Sequence, residues 1–264
     1  MATISSPSNP IIKDILRLKK SGERKKQDLF IIDGWREIDL AVKSGWEIKT
    51  LFYCPELIKK NNGGAGNVFN LEKEKIIEVS AAVFSKISYK EKPEGFLALA
   101  KAKKRSLSDI KLNQNSLLII LEQVEKPGNL GAILRTAYAA GVTAVIINDN
   151  QTDIYNPNVI RASEGQIFTQ EVVSASVAET VGWLKDNKII SLAAATSGSK
   201  KYTEAILTGP VALVFGSEAE GLSPEWLRAA DKLIKIPMKE GIDSLNVSVS
   251  VAIILFEALR QRDI

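Results

Sequence analysis

At 264 residues, 45% hydrophobic and 25% charged, the chain has the balance of one or two soluble globular domains. It holds no apolar run near the roughly 20 residues that cross a bilayer, so no membrane partner is expected. It contains no histidine and a single cysteine, Cys54. That excludes Ser–His–Asp and Cys–His nucleophiles, a histidine base, histidine or four-thiolate zinc sites and an intramolecular disulfide.

The net charge of +4 is unevenly spread. Residues 11–27 carry Lys13, Arg17, Lys19, Lys20, Arg24, Lys25 and Lys26 against Asp14 and Glu23, an excess larger than that of the whole chain. Lys101, Lys103, Lys104 and Arg105 form a second cluster. Such patches suit a polyanion, because phosphate contacts release counterions; a solvated helix face and a charged linker fit the same charges. Cations stand where a secretory leader would be apolar, and a lone cysteine suits a reducing compartment, so a cytoplasmic location is expected.

Asn9-Pro10 reads as a helix cap with proline at the first helical position, followed by a stripe of Ile11, Ile12, Ile15, Leu16 and Leu18. Leu29–Ile32 is a buried strand ending at Asp33-Gly34, with a helix from about Trp35 to Ser44. Ile48–Tyr53, Ile76–Ser80 and Phe96–Ala100 complete a small mixed sheet, and Asn61–Gly66 is a loop by composition. Residues 1–103 form one domain, 104–116 a polar linker and 117–264 a second domain. In that second part, β-rich runs at Leu117–Leu121, Ala144–Ile147, Ile189–Ala195, Val211–Phe215 and Leu233–Ile236 alternate with helical stretches. Alternation of this kind predicts an α/β domain with a mainly parallel sheet.

Three segments carry the chemistry. In the first, Pro127-Gly128-Asn129 breaks a strand and opens a helix with Asn129 as its expected cap. Leu130, Ile133, Leu134, Ala137 and Tyr138 form its buried face, and Arg135, about 140° from Leu130, points away from that face. In the second, Phe215-Gly-Ser-Glu-Ala-Glu-Gly221 ends a strand in a glycine-flanked loop containing Gly216, Ser217 and Glu218. Glu218 is placed to orient Arg135 or a substrate hydroxyl, and Ser223-Pro224 starts another helix. In the third, Pro237 ends a strand and Ser244-Leu245-Asn246 opens the final helix. That helix is apolar on two faces, one with Val247, Val251, Ile254, Leu255, Ala258 and Leu259, the other with Val249, Ile253 and Phe256. Two faces need two burial partners, either the core and a second subunit or deep burial in one chain. The P-loop pattern is absent, which argues against ordinary nucleotide hydrolysis.

Together the three segments resemble the SpoU branch of the SPOUT superfamily, the knotted RNA methyltransferases. The resemblance covers 117–264 and implies an α/β fold with a C-terminal deep trefoil knot and S-adenosylmethionine as cofactor. It also implies methylation of a ribose 2′-hydroxyl in structured RNA, by a homodimer formed through the knotted domain and C-terminal helix. Carried over, it makes Arg135, Asn129, Glu218, Ser244 and Asn246 the catalytic set. Thr196, Gly216, Ser217, Ile236, Met238, Leu245 and Asn246 become the cofactor contacts. Residues 1–100 resemble the family's smaller RNA-binding domain, itself like a ribosomal protein. The matching marks include Asn9, Lys13, Leu16, Arg24, Phe30–Arg36 and Gly95, with Asp33 where the family more often has Glu. Lys13, Arg17, Arg24, Arg36 and Arg135 are then the expected RNA contacts. This helper domain favours ribosomal over transfer RNA. A catalytically silent RNA-binding or assembly factor on the same scaffold, and a metabolite-processing α/β enzyme, are the competing readings.

Overall fold

The computed structural model describes residues 3–58, 71–149 and 152–263, so the expected loop at Asn61–Gly66 lies outside the described residues. The chain divides into two compact units, Met1–Lys103 with Tyr155–Thr169, and Lys104–Ile154 with Gln170–Ile264.

The first unit opens with α1 (Pro10–Arg17), where the Asn9 side chain accepts the backbone N–H of Ile11 and Ile12 and Ile15 are buried. There follow α2 (Ser21–Gln27), β1 (Leu29–Asp33), α3 (Trp35–Lys43), β2 (Ile48–Tyr53), β3 (Ile76–Glu78), α4 (Ala81–Ile87) and β4 (Phe96–Lys101). The sheet order is β1-β4-β2-β3, with β4 antiparallel to both neighbours and β2 parallel to β3, the mixed sheet expected. Ile31, Phe52 and Leu97 bury one sheet face against Ile12, Ile15, Val83 and Phe84 of α1 and α4.

Tyr155–Thr169, read from the sequence as part of the second domain, belongs to this first unit. Its helix is α6 (Pro157–Ala162). The segment is held by aromatic packing. The Tyr155 ring stacks on Phe30 at 4.4 Å, and the Trp46 indole N–H donates to the Phe168 carbonyl at 2.9 Å. Periodicity cannot report such a long-range attachment.

In the second unit, β5 (Leu117–Glu122), α5 (Pro127–Ala139), β6 (Ala144–Asn148), β7 (Val172–Ala175), α7 (Val177–Asp186), β8 (Ile190–Ala194) and β9 (Lys200–Lys201) are followed by β10 (Val211–Phe215), α8 (Pro224–Ala229), β11 (Lys232–Lys235) and α9 (Val247–Gln261). The strands pair in the order β7-β6-β5-β10-β8-β11-β9, every pair parallel. Every residue of β5, β6 and β10 is buried, which is why these strands read as continuous apolar runs rather than alternating ones. The expected linker 104–116 is not a free tether: Ile110 is buried in the core of the unit, with Leu107 and Leu112 packed against it. Polar composition concealed those three anchors.

Helix α9 packs on α5 and β10. Its C-terminal end is clamped by Arg262, whose guanidinium donates to the carbonyls of Asn115 and Gly209 at 2.6 Å and of Leu207 at 2.9 Å. Gln261 bonds Leu207 N and Ala205 O beside it. The connection before β10 is therefore fixed to the end of the last helix.

Glu37 of α3 is buried with Oε2 3.9 Å from Lys90 Nζ. Burial pushes its carboxyl pKa above the ordinary value, and Lys90 opposes that only in part. A group whose pKa is raised on folding stabilises the fold below its unfolded pKa, and the contribution is lost as pH rises through the folded one. Glu37→Gln is therefore expected to gain stability over the parent at about pH 8 and none at about pH 3.5, measured by urea melts at both. An equal difference at the two pH values would contradict this.

Candidate functional site

The carboxyl ends of β8, β10 and β11 open onto a cavity of about 370 Å³ within the second unit. Its walls are three loops: Ala194–Ser197 after β8, Phe215–Leu222 after β10, and a third after β11 that contributes Ile236, Met238 and Asp243–Leu245. Val247 and Ser250 of α9 close one side, and Leu227 of α8 joins the lining.

Local chemistry explains why these loops hold their shape. In the second loop, Ser217 N donates to Gly221 O at 2.9 Å and Gly221 N returns a bond to Ser217 O at 3.1 Å. Glu220 N also donates to Ser217 Oγ at 3.1 Å. A Cβ on Gly216 would lie 2.1 Å from the carbonyl carbon of Gly221, so this close backbone approach admits only glycine. In the first loop, a Cβ on Gly198 would meet the Ile234 carbonyl carbon at 2.6 Å, which packs that turn directly on β11.

The second loop is also anchored from below. Glu122, the last residue of β5, is buried, and its Oε2 accepts the backbone N–H of Ser223 at 2.8 Å. Ser223 caps α8 through Oγ, which accepts Trp226 N, and the buried Trp226 donates its indole N–H to Asn148. Sequence reasoning missed Glu122 because Leu117–Leu121 already read as a complete strand. An acidic residue closing an apolar run was the available signal.

Asn129 links all three motif segments. Its Nδ2 donates to Glu218 Oε1 at 2.5 Å, and its Oδ1 accepts from Asn246 Nδ2 at 3.2 Å. Asn246 in turn caps α9, its Oδ1 accepting Ser248 N at 2.9 Å. The expectation that Asn129 caps α5 is corrected: the helix begins at Pro127 with Lys126 as its cap residue, so Asn129 lies in the first turn. Proline has no N–H to leave unsatisfied there, and the Asn129 amide is released for the inter-loop bonds.

Of the expected cofactor contacts, Thr196, Gly216, Ser217, Ile236, Met238 and Leu245 line the cavity, as do Glu218 and Ser244 from the expected catalytic set. Asn246 is not in the lining and faces Asn129 instead. Arg135 is exposed on α5, outside the cavity wall. Asp243, Glu220 and Ser250 line the cavity and were not foreseen.

The expected RNA contacts fall in three groups. Lys13 and Arg17 are exposed on α1, Arg17 beside Asp14 at 3.0 Å, and Arg36 is exposed and paired with Glu164 at 2.8 Å. Arg24 is a correction. It is buried, donating to the carbonyls of Leu18 at 2.7 Å and Lys19 at 3.0 Å, so it closes the end of α1 rather than facing a phosphate.

The cavity combines an apolar side of Phe215, Leu222, Ile236 and Val247, hydroxyls of Thr196, Ser217 and Ser244, and carboxylates of Glu218, Glu220 and Asp243. Its volume is within the range of pockets that enclose a cofactor-sized molecule. Carboxylates suit a cation and the apolar side suits a flat base, a donor set that fits S-adenosylmethionine.

Comparison with known proteins agrees with that geometry. Residues 116–256 match the SpoU rRNA Methylase family, and residues 9–98 match the MRM3-like substrate binding domain. A crystal structure of an RNA 2′-O ribose methyltransferase is 39% identical and covers 100% of both chains with a TM-score of 0.86. The AdoMet-bound rRNA methyltransferase of Sinorhizobium meliloti is 31% identical, covers 98% of this chain and 97% of its own, and gives a TM-score of 0.88. The 23S rRNA (guanosine(2553)-2′-O)-methyltransferase RlmP of Bacillus subtilis is 27% identical over 97% of this chain and 98% of its own length. The chain belongs to the SpoU rRNA methylase family. It is an RNA ribose 2′-O-methyltransferase with S-adenosylmethionine as its cofactor.

Truncating Glu218 removes the acceptor that holds Asn129 to the cavity wall. Glu218→Ala is expected to weaken S-adenosylmethionine binding about tenfold by calorimetry, while Glu225→Ala, on the exposed side of α8, leaves it unchanged. Equal affinities for both variants would contradict the assignment of Glu218 to the wall.

Proposed function

We propose that the protein methylates the ribose 2′-hydroxyl of a nucleotide in large-subunit ribosomal RNA, acting as a homodimer. The observation that carries the reading is the cavity itself: the second and third motif segments wall it together with the Ala194–Ser197 loop, and Asn129 of the first segment ties those two motif segments to each other. The full-length similarity to RlmP, whose name specifies 23S rRNA, supports ribosomal RNA as the substrate class. The first unit, with exposed Lys13, Arg17 and Arg36, is then the RNA-holding part and the second the transferase.

When bound, S-adenosylmethionine supplies a sulfonium methyl with its own leaving group. The chain's part is to align the ribose oxygen with that methyl and to favour an alkoxide-like oxygen. Asn129, Asn246 and Glu218 hold the three motif segments together, and Ser244 contributes a hydroxyl to the wall. A guanidinium is a poor proton acceptor and a planar donor to oxyanions, so Arg135 acts by stabilising developing negative charge and orienting a phosphate rather than as a base.

The dimer reading accounts for an unburied apolar surface. Val249 and Phe256 on α9 are 46% and 52% exposed, and Tyr138 on α5 is 50% exposed. Arg135 precedes Tyr138 by three residues and shares its helix face, so an interface using Tyr138 also brings Arg135 to the subunit boundary. The knot belongs to the same proposal. Strand β8 lies between β10 and β11, so the chain crosses β8 to reach β11 and returns to place α9 on α5. A passage of that return through the connection before β10, which α9 clamps with Gln261 and Arg262, forms the trefoil.

The test uses labelled S-adenosylmethionine with unmethylated ribosomal and transfer RNA pools. Label is expected in ribosomal RNA, in an alkali-resistant dinucleotide, with Arg135→Ala lowering kcat/KM at least about 100-fold. Near-parent turnover by Arg135→Lys would overturn the Arg-specific role. Cofactor binding without label in any RNA or ribosomal particle would favour the catalytically silent factor.

A further inference from the structure

The open edge of the seven-stranded sheet carries a feature that the methyl-transfer site does not use. Strand β9 consists of Lys200 and Lys201, both exposed, and it pairs in parallel with β11 so that Lys201 stands in register with Lys235. Register partners in neighbouring parallel strands project from the same face, about 4.8 Å apart at the backbone. Two like charges in that relation oppose sheet formation. Lys239 follows four residues after Lys235 and is exposed. Among the described residues, none of Lys200, Lys201, Lys235 and Lys239 has a carboxylate within ion-pair distance. The Glu204 carboxylate accepts the Lys201 backbone N–H at 3.4 Å but pairs with neither ammonium, so the repulsion between the two strands stands without an ion pair to offset it.

Their position supplies the second observation. The loop from β8 to β9 puts Thr196 and Ser197 in the cavity wall three to five residues before these lysines. The loop leaving β11 puts Ile236 and Met238 in the same wall, directly beside Lys235 and Lys239 in sequence. The cations therefore flank the cavity at the carboxyl ends of the strands, where open α/β sheets bind their ligands.

We propose that Lys201 and Lys235, supported by Lys239, are a phosphate-binding pair that holds the substrate RNA backbone within a few nucleotides of the target ribose. An RNA strand presents phosphates in sequence, and one seated across the pair relieves the lysine repulsion while releasing counterions. The pair is distinct from the cations of the first unit. Protection of the sheet edge by lysine predicts only resistance to aggregation, with no effect on RNA. The inference rests on the RNA methyl-transfer reading given above.

The test compares full-length protein with Lys201→Gln/Lys235→Gln and Lys201→Arg/Lys235→Arg, using the ribosomal RNA pool at several salt concentrations. The Gln pair is expected to raise KM for RNA about 5- to 10-fold and to lower the slope of log affinity against log salt by about 1 to 2, while kcat and cofactor affinity stay at the parent value. The Arg pair is expected to restore KM and slope. An unchanged KM and slope in the Gln pair, or lost cofactor affinity with unchanged RNA affinity, overturns the proposal; the latter would assign the lysines to the cofactor carboxylate. A parent protein that binds no RNA overturns the underlying reading. Thermal melts at low salt read folding separately, and the Gln pair is expected to melt no lower than the parent because a repulsion is removed.

Discussion

The site depends on one side-chain amide used at both ends. Asn129 donates to Glu218, 89 residues later, and accepts from Asn246, 117 residues later. Aspartate could not donate to Glu218, and a longer side chain would not span the same two bonds. The amide is free for this work only because α5 starts at Pro127, which puts the cap position at Lys126, before Asn129. A backbone detail of one helix start thus decides whether the three motif segments meet.

The sheet makes that meeting possible. Because β10 pairs with β5 on one side and β8 on the other, and β11 lies beyond β8, the four strands present their carboxyl ends side by side. Every residue of β5 and β10 is buried, so the loops at those ends stand on a rigid layer. Glu122 and the Asn148–Trp226 bond carry that rigidity outward, fixing the start of α8 and with it the far end of the glycine loop. Gly216 and Gly198 then let two loops approach other backbone more closely than any side chain would allow.

Much of this was legible in the chain, and what was not has physical reasons. The buried strands β5, β6 and β10 announce themselves as apolar runs, and the spacing of Leu130, Ile133, Leu134 and Ala137 marks the buried face of α5. The expected residues that line the cavity lie in the loops after β8, β10 and β11, and it was the resemblance of the motif segments, rather than any periodicity, that pointed to them. The edge strands β7 and β9 were missed because four residues and two residues carry no period. Tyr138 was read as part of the buried face of α5 but is half exposed, a matter that only packing partners decide. Charge counting cannot separate the inward-turned Arg24 from the exposed Lys13, and polar composition hid Ile110 in a stretch taken for linker. The attachment of Tyr155–Thr169 to the first unit is purely tertiary.

The claim that one relay couples the motif loops is tested most directly by a double-mutant cycle on kcat/KM with Asn129→Ala, Glu218→Ala and the double variant. Coupling through a shared bond predicts that the double variant loses little more activity than the more damaged single variant. Losses that multiply would mean that Asn129 and Glu218 act independently, and the relay would not be what holds the site together.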